Sequence, residues 1–498
     1  MKKFFMKKND QQKFEIFKLI LFSKNGASVH SISQKTNLSL NLVYKKIKLL
    51  NDDLEELFCQ NNVRIIKNDA FFSIVIENPL NISYVIDALR LYYIQQSHEY
   101  LILHSILLNH FNSVEALSQE INLSTSHTYK SLSTVSWALS NFKLELRFPG
   151  ENQQSNIQGL EIHIRLFIFY YYWSVFKGIT WPFRKSLDHL KQIDLPIKEV
   201  SPSQEIRLKY YQTLSLWRIL YKNELVVLDS EFLSIVTLLN TVHPIVFSTE
   251  LKLTDEERLQ EEGYFSLLCR LFIYDTDTIS QKLETATLFI QSDLPISKSC
   301  TFVLDGLYAA YDVTPTNEDY LFSYYSLLLA LTSISYVKID NTPLFENDQN
   351  ISELGSDLAD FPQMEHELSE LAKKLFSDAP YLDELKAKGF FTYIVFLFYF
   401  ILDCSKKSQQ LKIFVQYSKN HFTTEEIKKS LASFFSDKAI VFVSDPKQSN
   451  IMISDCFEKD YPNENFFYFD NPVNINEWQA LIRYVSTKLY NKIFYKQL

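Results

Sequence analysis

The chain has 498 residues and only eight glycines, where average usage of about 7% would give roughly 35. The eight (Gly26, Gly150, Gly159, Gly178, Gly263, Gly306, Gly355 and Gly389) are isolated, so neither GxGxxG nor GxxxxGK[ST] occurs and both glycine-rich nucleotide loops are excluded. The net charge of −9 hides an asymmetry, because residues 1–50 hold eleven lysines against Asp10 and Glu15, a local +9 that leaves −18 for the rest. A basic end on an acidic body points to a polyanionic partner.

Abundant Tyr and Phe with little Gly and Pro favour long helices over a turn-rich β protein. The length suggests about three to five domains. Five scattered cysteines (Cys59, Cys269, Cys300, Cys404 and Cys456) form no CxxC, which argues against a disulfide framework or a zinc site and for a reducing compartment. The N-terminal lysines are not followed by the apolar stretch of a signal peptide. The apolar runs Leu166–Phe176 and Phe390–Leu402 fall short of the roughly 18–20 residues of a membrane span and read as buried helices. A cytoplasmic protein with no membrane partner, metal or cofactor is expected.

The first elements in the chain are duplicated. Ser28 to Ser39 aligns with Ser113 to Ser124 at an offset of 85, and Tyr44-Lys45 then aligns with Tyr129-Lys130. In the first copy Val29, Ile32 and Ser33 face one side of a short helix, and Asn37 stands where a helix–turn–helix needs a left-handed residue. Leu38 fills the angle, Ser39 is a good N-cap, and Val43, Ile47 and Leu50 give the second helix a buried stripe. Its outward residues are read as Asn41, Tyr44, Lys45, Lys46 and Lys48. The second copy has Asn122, Leu123 and Ser124 at the turn and Leu132, Val135 and Leu139 inside. Ser126, His127, Tyr129, Lys130, Ser131 and Thr134 are read as outward.

A short helix, a tight turn and a polar second helix make the unit that lays its second helix in the major groove of duplex DNA. Lysines and tyrosines there hold phosphates, while Asn41, Ser126 and His127 are placed to reach base edges. A hairpin wing is expected after each copy. The first pairs 63–66 with 71–76, and the second pairs 144–148 with 160–164 across a polar loop, setting Arg64, Lys67 and Arg147 near a backbone.

From about 166 to 404 helical periodicity dominates. Helices are expected near 166–177, 183–192, 203–223, 227–241, 254–273 and 276–291, then 297–312, 318–337, 350–377 and 380–404. Proline-containing breaks group them into two bundles meeting near Ser292–Ser297. No catalytic constellation stands out, but His189 follows Asp188, His243 precedes Pro244 and His366 lies between two glutamates. After 409 the pattern becomes a small, mostly parallel α/β unit, with strands at 411–417, 439–443, 451–453 and 466–469 and helices at 423–436 and 475–492. The loop Gln416-Tyr417-Ser418-Lys419-Asn420 lacks the Gly or Cys of a phosphate-cradling loop.

The fold class is therefore mainly α and multidomain. Winged helix–turn–helix units are expected at 1–80 and 81–165, helical bundles at 166–294 and 295–408, and an α/β unit at 409–498. With its paired Asn-Leu-Ser turns and the segment Gly159-Leu160-Glu161-Ile162-His163-Ile164-Arg165, this arrangement resembles the Mga/AtxA-type virulence regulators of Gram-positive bacteria. In that family the bundles are phosphotransferase-system regulation domains (PRDs) and the last domain is similar to an EIIB component.

The resemblance implies a homodimeric transcriptional regulator, more an activator than a repressor, and not an enzyme. It implies control by the phosphocarrier HPr acting on PRD histidines, and engagement of RNA polymerase. Asp188-His189 is similar to a first-bundle phosphorylatable site, whereas Leu268 stands where a second such histidine belongs. His243 and His366 remain further candidates, and Gln416-Tyr417 replaces the EIIB phosphocysteine. The alternatives are a PRD-containing RNA-binding antiterminator and a phosphotransfer protein.

Overall fold

In a computed structural model of the chain, the described residues are 5–23, 26–58, 62–77, 80–148, 155–197, 200–273, 276–340, 361–377, 388–405, 410–418, 421–437, 439–456 and 465–494. Cys59, Gly150, Gly355, Lys419, Asn420, the wing loop 149–154 and the expected helical stretches 350–360 and 380–387 lie outside them.

The first unit runs α1 (Lys8–Leu21), β1 (Ala27–Ser28), α2 (Val29–Thr36), α3 (Leu40–Leu57), β2 (Val63–Asn68) and β3 (Phe71–Ile76). Its sheet has the order β1-β3-β2, all antiparallel. Gly26 enters β1 at φ +81°, and a Cβ there would stand 2.7 Å from the Phe72 carbonyl oxygen, so both backbone and space require glycine. Asn37 terminates α2 at φ 55°, the left-handed conformation its residue type suggested. Buried Val43, Ile47, Leu50 and Leu54 form the stripe by which α3 packs on α1 and α2.

A helix with no counterpart in the first unit, α4 (Ile82–Gln95), precedes the second copy. That copy is α5 (His98–Leu108), α6 (Val114–Glu120), α7 (Thr125–Ser140), β4 (Glu145–Leu146) and β5 (Ile157–Gln158). Asn122 adopts φ 54°. Ser124 accepts a hydrogen bond from the His127 amide, capping α7 as expected, whereas Ser39 has the extended cap backbone but makes no side-chain cap bond.

The second wing is smaller than expected. Only Glu145 and Leu146 pair, with Gln158 and Ile157, and 160–164 is no strand, because α8 (Glu161–Phe176) begins there. Almost every residue of α8 from Ile162 to Phe169 is buried, so no one-sided helical stripe marks it and Leu-Glu-Ile-His-Ile mimics strand alternation. The expected boundary between 165 and 166 thus falls inside a helix.

A 3-10 helix at Lys185–Gln192 is followed by α9 (Pro202–Trp217), α10 (Ser230–Leu239), α11 (Asp255–Phe272), α12 (Ile279–Ile290), α13 (Pro295–Ala310), α14 (Asn317–Thr332), α15 (Phe361–Ser377) and α16 (Lys388–Ser405). One arrangement occurs twice. The sixteen-residue helix α9 continues into a five-residue π segment, Arg218–Lys222, and stops at left-handed Asn223. Likewise α14, also sixteen residues, continues into the π segment Ser333–Val337 and stops at left-handed Lys338. The stretch Asn317–Val337 is long and apolar enough to cross a membrane, yet Tyr324, Leu327, Leu328 and Leu331 on it are buried in protein.

The chain ends in β6 (Leu411–Gln416), α17 (His421–Phe434), β7 (Ile440–Phe442), β8 (Ile451–Ser454), β9 (Phe466–Tyr468) and α18 (Ile475–Phe494). The four strands are parallel in the order β7-β6-β8-β9, and Ile413, Ile453, Ile427, Leu431, Leu481 and Val485 make the core between sheet and helices. Among the described residues the chain packs as two units. One holds 5–301, 324–340 and 388–390, and the other holds 302–323, 361–377 and 391–494.

Candidate nucleic-acid interface

The two second helices, α3 and α7, present matching surfaces. Asn41, Tyr44, Lys45 and Lys48 are exposed along α3, and Ser126, His127, Tyr129 and Lys130 along α7. The Tyr-Lys pairs 44-45 and 129-130 occupy the same register in the two copies, and Tyr44 and Tyr129 are 46% and 56% exposed, unusual for rings with a core nearby. An exposed aromatic with a polar tip beside a lysine suits a sugar-phosphate backbone.

Two residues read as outward face the opposite way. Lys46 is buried, and its ammonium bonds the side chain of Asn9, the second residue of α1. Burial, and then the charge of Lys13, push its pKa down. Ser131, its counterpart at the same register in α7, is also buried and donates to Glu99, the second residue of α5, at 2.8 Å. Each position lies on the stripe side of its helix, where a polar residue fastens the first helix of its unit rather than meeting solvent. Neither is available to a ligand.

The wings place their cations differently. Lys67 sits with its ammonium 5.6 Å from the Tyr44 ring centroid and 5.9 Å from that of Phe72, which itself packs edge-on against Tyr44. The first wing is therefore locked to the exposed face of α3 with its charge outward. Arg64 pairs with Glu77 at 2.9 Å, and Arg147 pairs with Glu145, so both expected backbone contacts are partly neutralised. Asn156 pins the second wing by bonding both the amide and the carbonyl of Phe111 and the Arg147 carbonyl.

Sequence reasoning missed Trp137, exposed on α7 eleven residues after Ser126 and seven after Lys130. Extending the helical spacing of the outward residues by two turns would have found it.

Residues 84–172, from α4 through most of α8, match the Mga helix-turn-helix domain. The chain carries an Mga-type helix–turn–helix domain. Its broad class is accordingly that of a DNA-binding transcriptional regulator. The matched Mga-type domain is built on the second of the two units, and it includes α4 and α8, which flank the unit on either side. No curated protein matches the chain.

The Mga-type domain is fastened at both ends. Arg90 of α4, fully buried, donates to the Ser174 and Val175 carbonyls and caps the C-terminal end of α8. At the other end of α8, buried Arg165 bonds Glu161 and Glu261, Arg218 grips Glu161 with two hydrogen bonds of 2.9 and 2.6 Å, and Glu261 also accepts the Val226 amide. His163 meets the Val337 carbonyl at 2.9 Å, at the end of the second π segment, and burial lowers its pKa.

The three candidate histidines differ in surroundings. His189 is exposed on the 3-10 helix and its Nε2 meets the Tyr221 hydroxyl at 2.9 Å, not Asp188. His366 is exposed on α15. His243 has a built environment. Its Nδ1 lies 2.9 Å from Oδ1 of Asp277, which is fully buried and also accepts from Arg270 and Tyr325. Burial opposes charge on Asp277, but Arg270 and these hydrogen bonds hold its carboxyl below the usual range. An ionised carboxylate only accepts, so Nδ1 carries a proton, and Nε2 is the ring nitrogen that Asp277 leaves unengaged.

In the C-terminal sheet the loop after β6 is tied to a carboxylate. The Ser418 amide and hydroxyl both donate to Asp455, at 2.7 and 2.8 Å. An acid there opposes phosphate binding, in keeping with the missing Gly or Cys. Among the described residues no cluster of His, Cys, Asp and Glu could hold a metal ion.

Proposed function

We propose that the chain reads specific duplex promoter DNA with both α3 and α7. The observation that carries this is the exposed Tyr-Lys pair at one register in two copies of the same helix–turn–helix. Tyr44, Lys45, Lys48, Lys67, Tyr129 and Lys130 take backbone phosphates, and Asn41, Ser126 and His127 take base edges. Two reading units in one chain, doubled again in a homodimer, suit an extended site in which half-site spacing adds specificity.

The repeated helix, π segment and left-handed stop supports reading the middle of the chain as two PRD-like repeats, and the parallel sheet supports an EIIB-like end that has lost its phosphate loop and serves self-association. Control is assigned to phosphorylation by HPr, with His243 the best-prepared acceptor, since Asp277 fixes its tautomer and leaves Nε2 as the nucleophile. A phosphate there adds about two negative charges beside a buried carboxylate and disturbs the Arg270–Asp277 pair. Such a regulator acts in the cytoplasm, where it meets RNA polymerase.

A footprint of the purified protein on its own upstream region tests DNA reading, with hairpin RNA as competitor. Protection of a defined duplex site that RNA does not relieve is expected, and preferential retention of the RNA would replace this reading with antitermination. Promoter output from His243→Ala, His189→Ala and His366→Ala, grown on rich and poor sugar, tests control. An unaltered response in His243→Ala would remove that histidine.

A further inference from the structure

A cavity of about 200 Å³ opens where α5 of the Mga-type domain, the 3-10 helix and the first π segment come together. Its wall carries two cations, Arg184 and Lys222, and no carboxylate. Neither cation forms an ion pair among the described residues. Arg184 bonds the Asn109 amide oxygen, and Lys222 lies 5.7 Å from the ring centroid of Trp217. Four aromatic residues, Phe183, Trp217, Tyr221 and Tyr172, make up most of the remaining wall, with Leu108, Ser186 and Leu187.

Tyr172 adds a second, independent sign. It is 1% exposed, and its hydroxyl has no hydrogen-bond partner among the described residues. A buried hydroxyl left without a partner costs about 1–3 kcal/mol, and unlike the Tyr171 and Tyr211 hydroxyls, which are also unpaired, that of Tyr172 belongs to a residue lining this cavity, where a ligand can satisfy it. The local field is positive: burial, then Arg218 and Arg184, lower the pKa of Lys222 against the weaker pull of Glu224. Burial and then Arg184 also lower that of His104, to about 4. Two cations on a wall that carries no carboxylate, beside an unpaired hydroxyl, describe a site shaped for an anion.

We infer that this cavity binds a small phosphate monoester, its phosphate between Arg184, Lys222 and the Tyr172 hydroxyl and its body against the aromatic wall. A dianion matches two cations better than a carboxylate does, and a phosphate offers oxygens enough for all three donors. Because Leu108 lies at the end of α5 and Asn109 holds Arg184, occupancy bears directly on the domain that reads DNA. The site is remote in sequence from His243 and does not depend on its phosphorylation, although Tyr221 on the wall meets His189 at 2.9 Å.

The test is calorimetric titration of the full chain with glucose 6-phosphate, inorganic phosphate and glucose. Saturable binding of both phosphates is expected, the ester at least about tenfold tighter than inorganic phosphate, with no heat from glucose. The double variant Arg184→Gln/Lys222→Gln should weaken phosphate at least about tenfold, as loss of charge-assisted hydrogen bonds does. Tyr172→Phe should weaken it about fivefold with an unchanged far-ultraviolet spectrum. Failure of inorganic phosphate to bind, or equal binding by the double variant, overturns the inference. So does a double variant that loses DNA retention while phosphate leaves the wild type unchanged, since the cations would then be contacts to the DNA backbone.

Discussion

The Tyr93 hydroxyl donates to Asp53 at 2.6 Å, fastening α4, the helix between the two helix–turn–helix units, to α3 of the first. Asp53 also takes the Lys13 ammonium, which lies 4.4 Å from the Tyr93 ring centroid, and Tyr92 bonds Glu56 one turn along. Burial pushes the Tyr93 phenol well above its ordinary range, so it stays a donor at any accessible pH. Tyr93→Phe should cost about 1–2 kcal/mol, the worth of a hydrogen bond to a charged group whose partner keeps another donor. Urea denaturation measures it, and an unchanged midpoint would mean that the bond contributes nothing.

Lys45 and Lys46 are sequence neighbours with opposite fates. Lys45→Ala should lower the slope of log affinity against log salt by about one, the release of a single counterion, with little change in thermal midpoint. Lys46→Met should leave that slope unaltered and change stability instead, through the lost bond to Asn9. Gel shifts at several salt concentrations, paired with melting curves, separate the two effects.

Acid should loosen the Mga-type domain before it loosens carboxylate pairs. His104, stacked 5.1 Å from Tyr100, has its pKa lowered from 6.5 to about 4 by burial and by Arg184. The unfolded chain takes up that proton at higher pH than the folded one. Stability from this group is therefore complete above pH 6.5 and is lost as pH falls toward 4. At one pKa unit per about 1.4 kcal/mol, roughly 3 kcal/mol is involved. His104→Phe should flatten the fall in melting temperature between pH 7 and 5, and an equal fall in both proteins would count against this origin.

Asp277 and Arg270 are a fully buried pair. Asp277→Ala strands the guanidinium and should cost about 3–5 kcal/mol, while Asp277→Leu with Arg270→Met should recover most of it. Chemical denaturation of the wild type, Asp277→Leu, Arg270→Met and their double variant gives the coupling directly, and additive losses would show that the two side chains do not act as a pair.

What could be read from the amino acids was local. Asn37 and Asn122 declare left-handed turns because few other residues tolerate that backbone, and the boundaries of β6 to α18 follow from short apolar runs with clear stops. The facing of Lys46 and Ser131 could not be read that way. Both lie three residues after a buried position, Val43 and Thr128, but their polarity argued for solvent and their partners stand 37 and 32 residues away. The first strand-like turns of α8 misled for the complementary reason, since a helix buried all round shows no amphipathic stripe. The repeated π segments leave no mark in composition, because one extra residue per turn is a matter of hydrogen-bond partner and not of residue type.

The shared helix α8 has a mechanical consequence. It runs from the Mga-type domain into the helical segment that follows, about 24 Å of continuous backbone clamped by Arg90 at one end and by the Glu161–Arg165–Glu261 cluster at the other. No loop intervenes to absorb a twist. A fragment cut at residue 165 would keep only the first turn of this helix and lose the end that Arg90 caps.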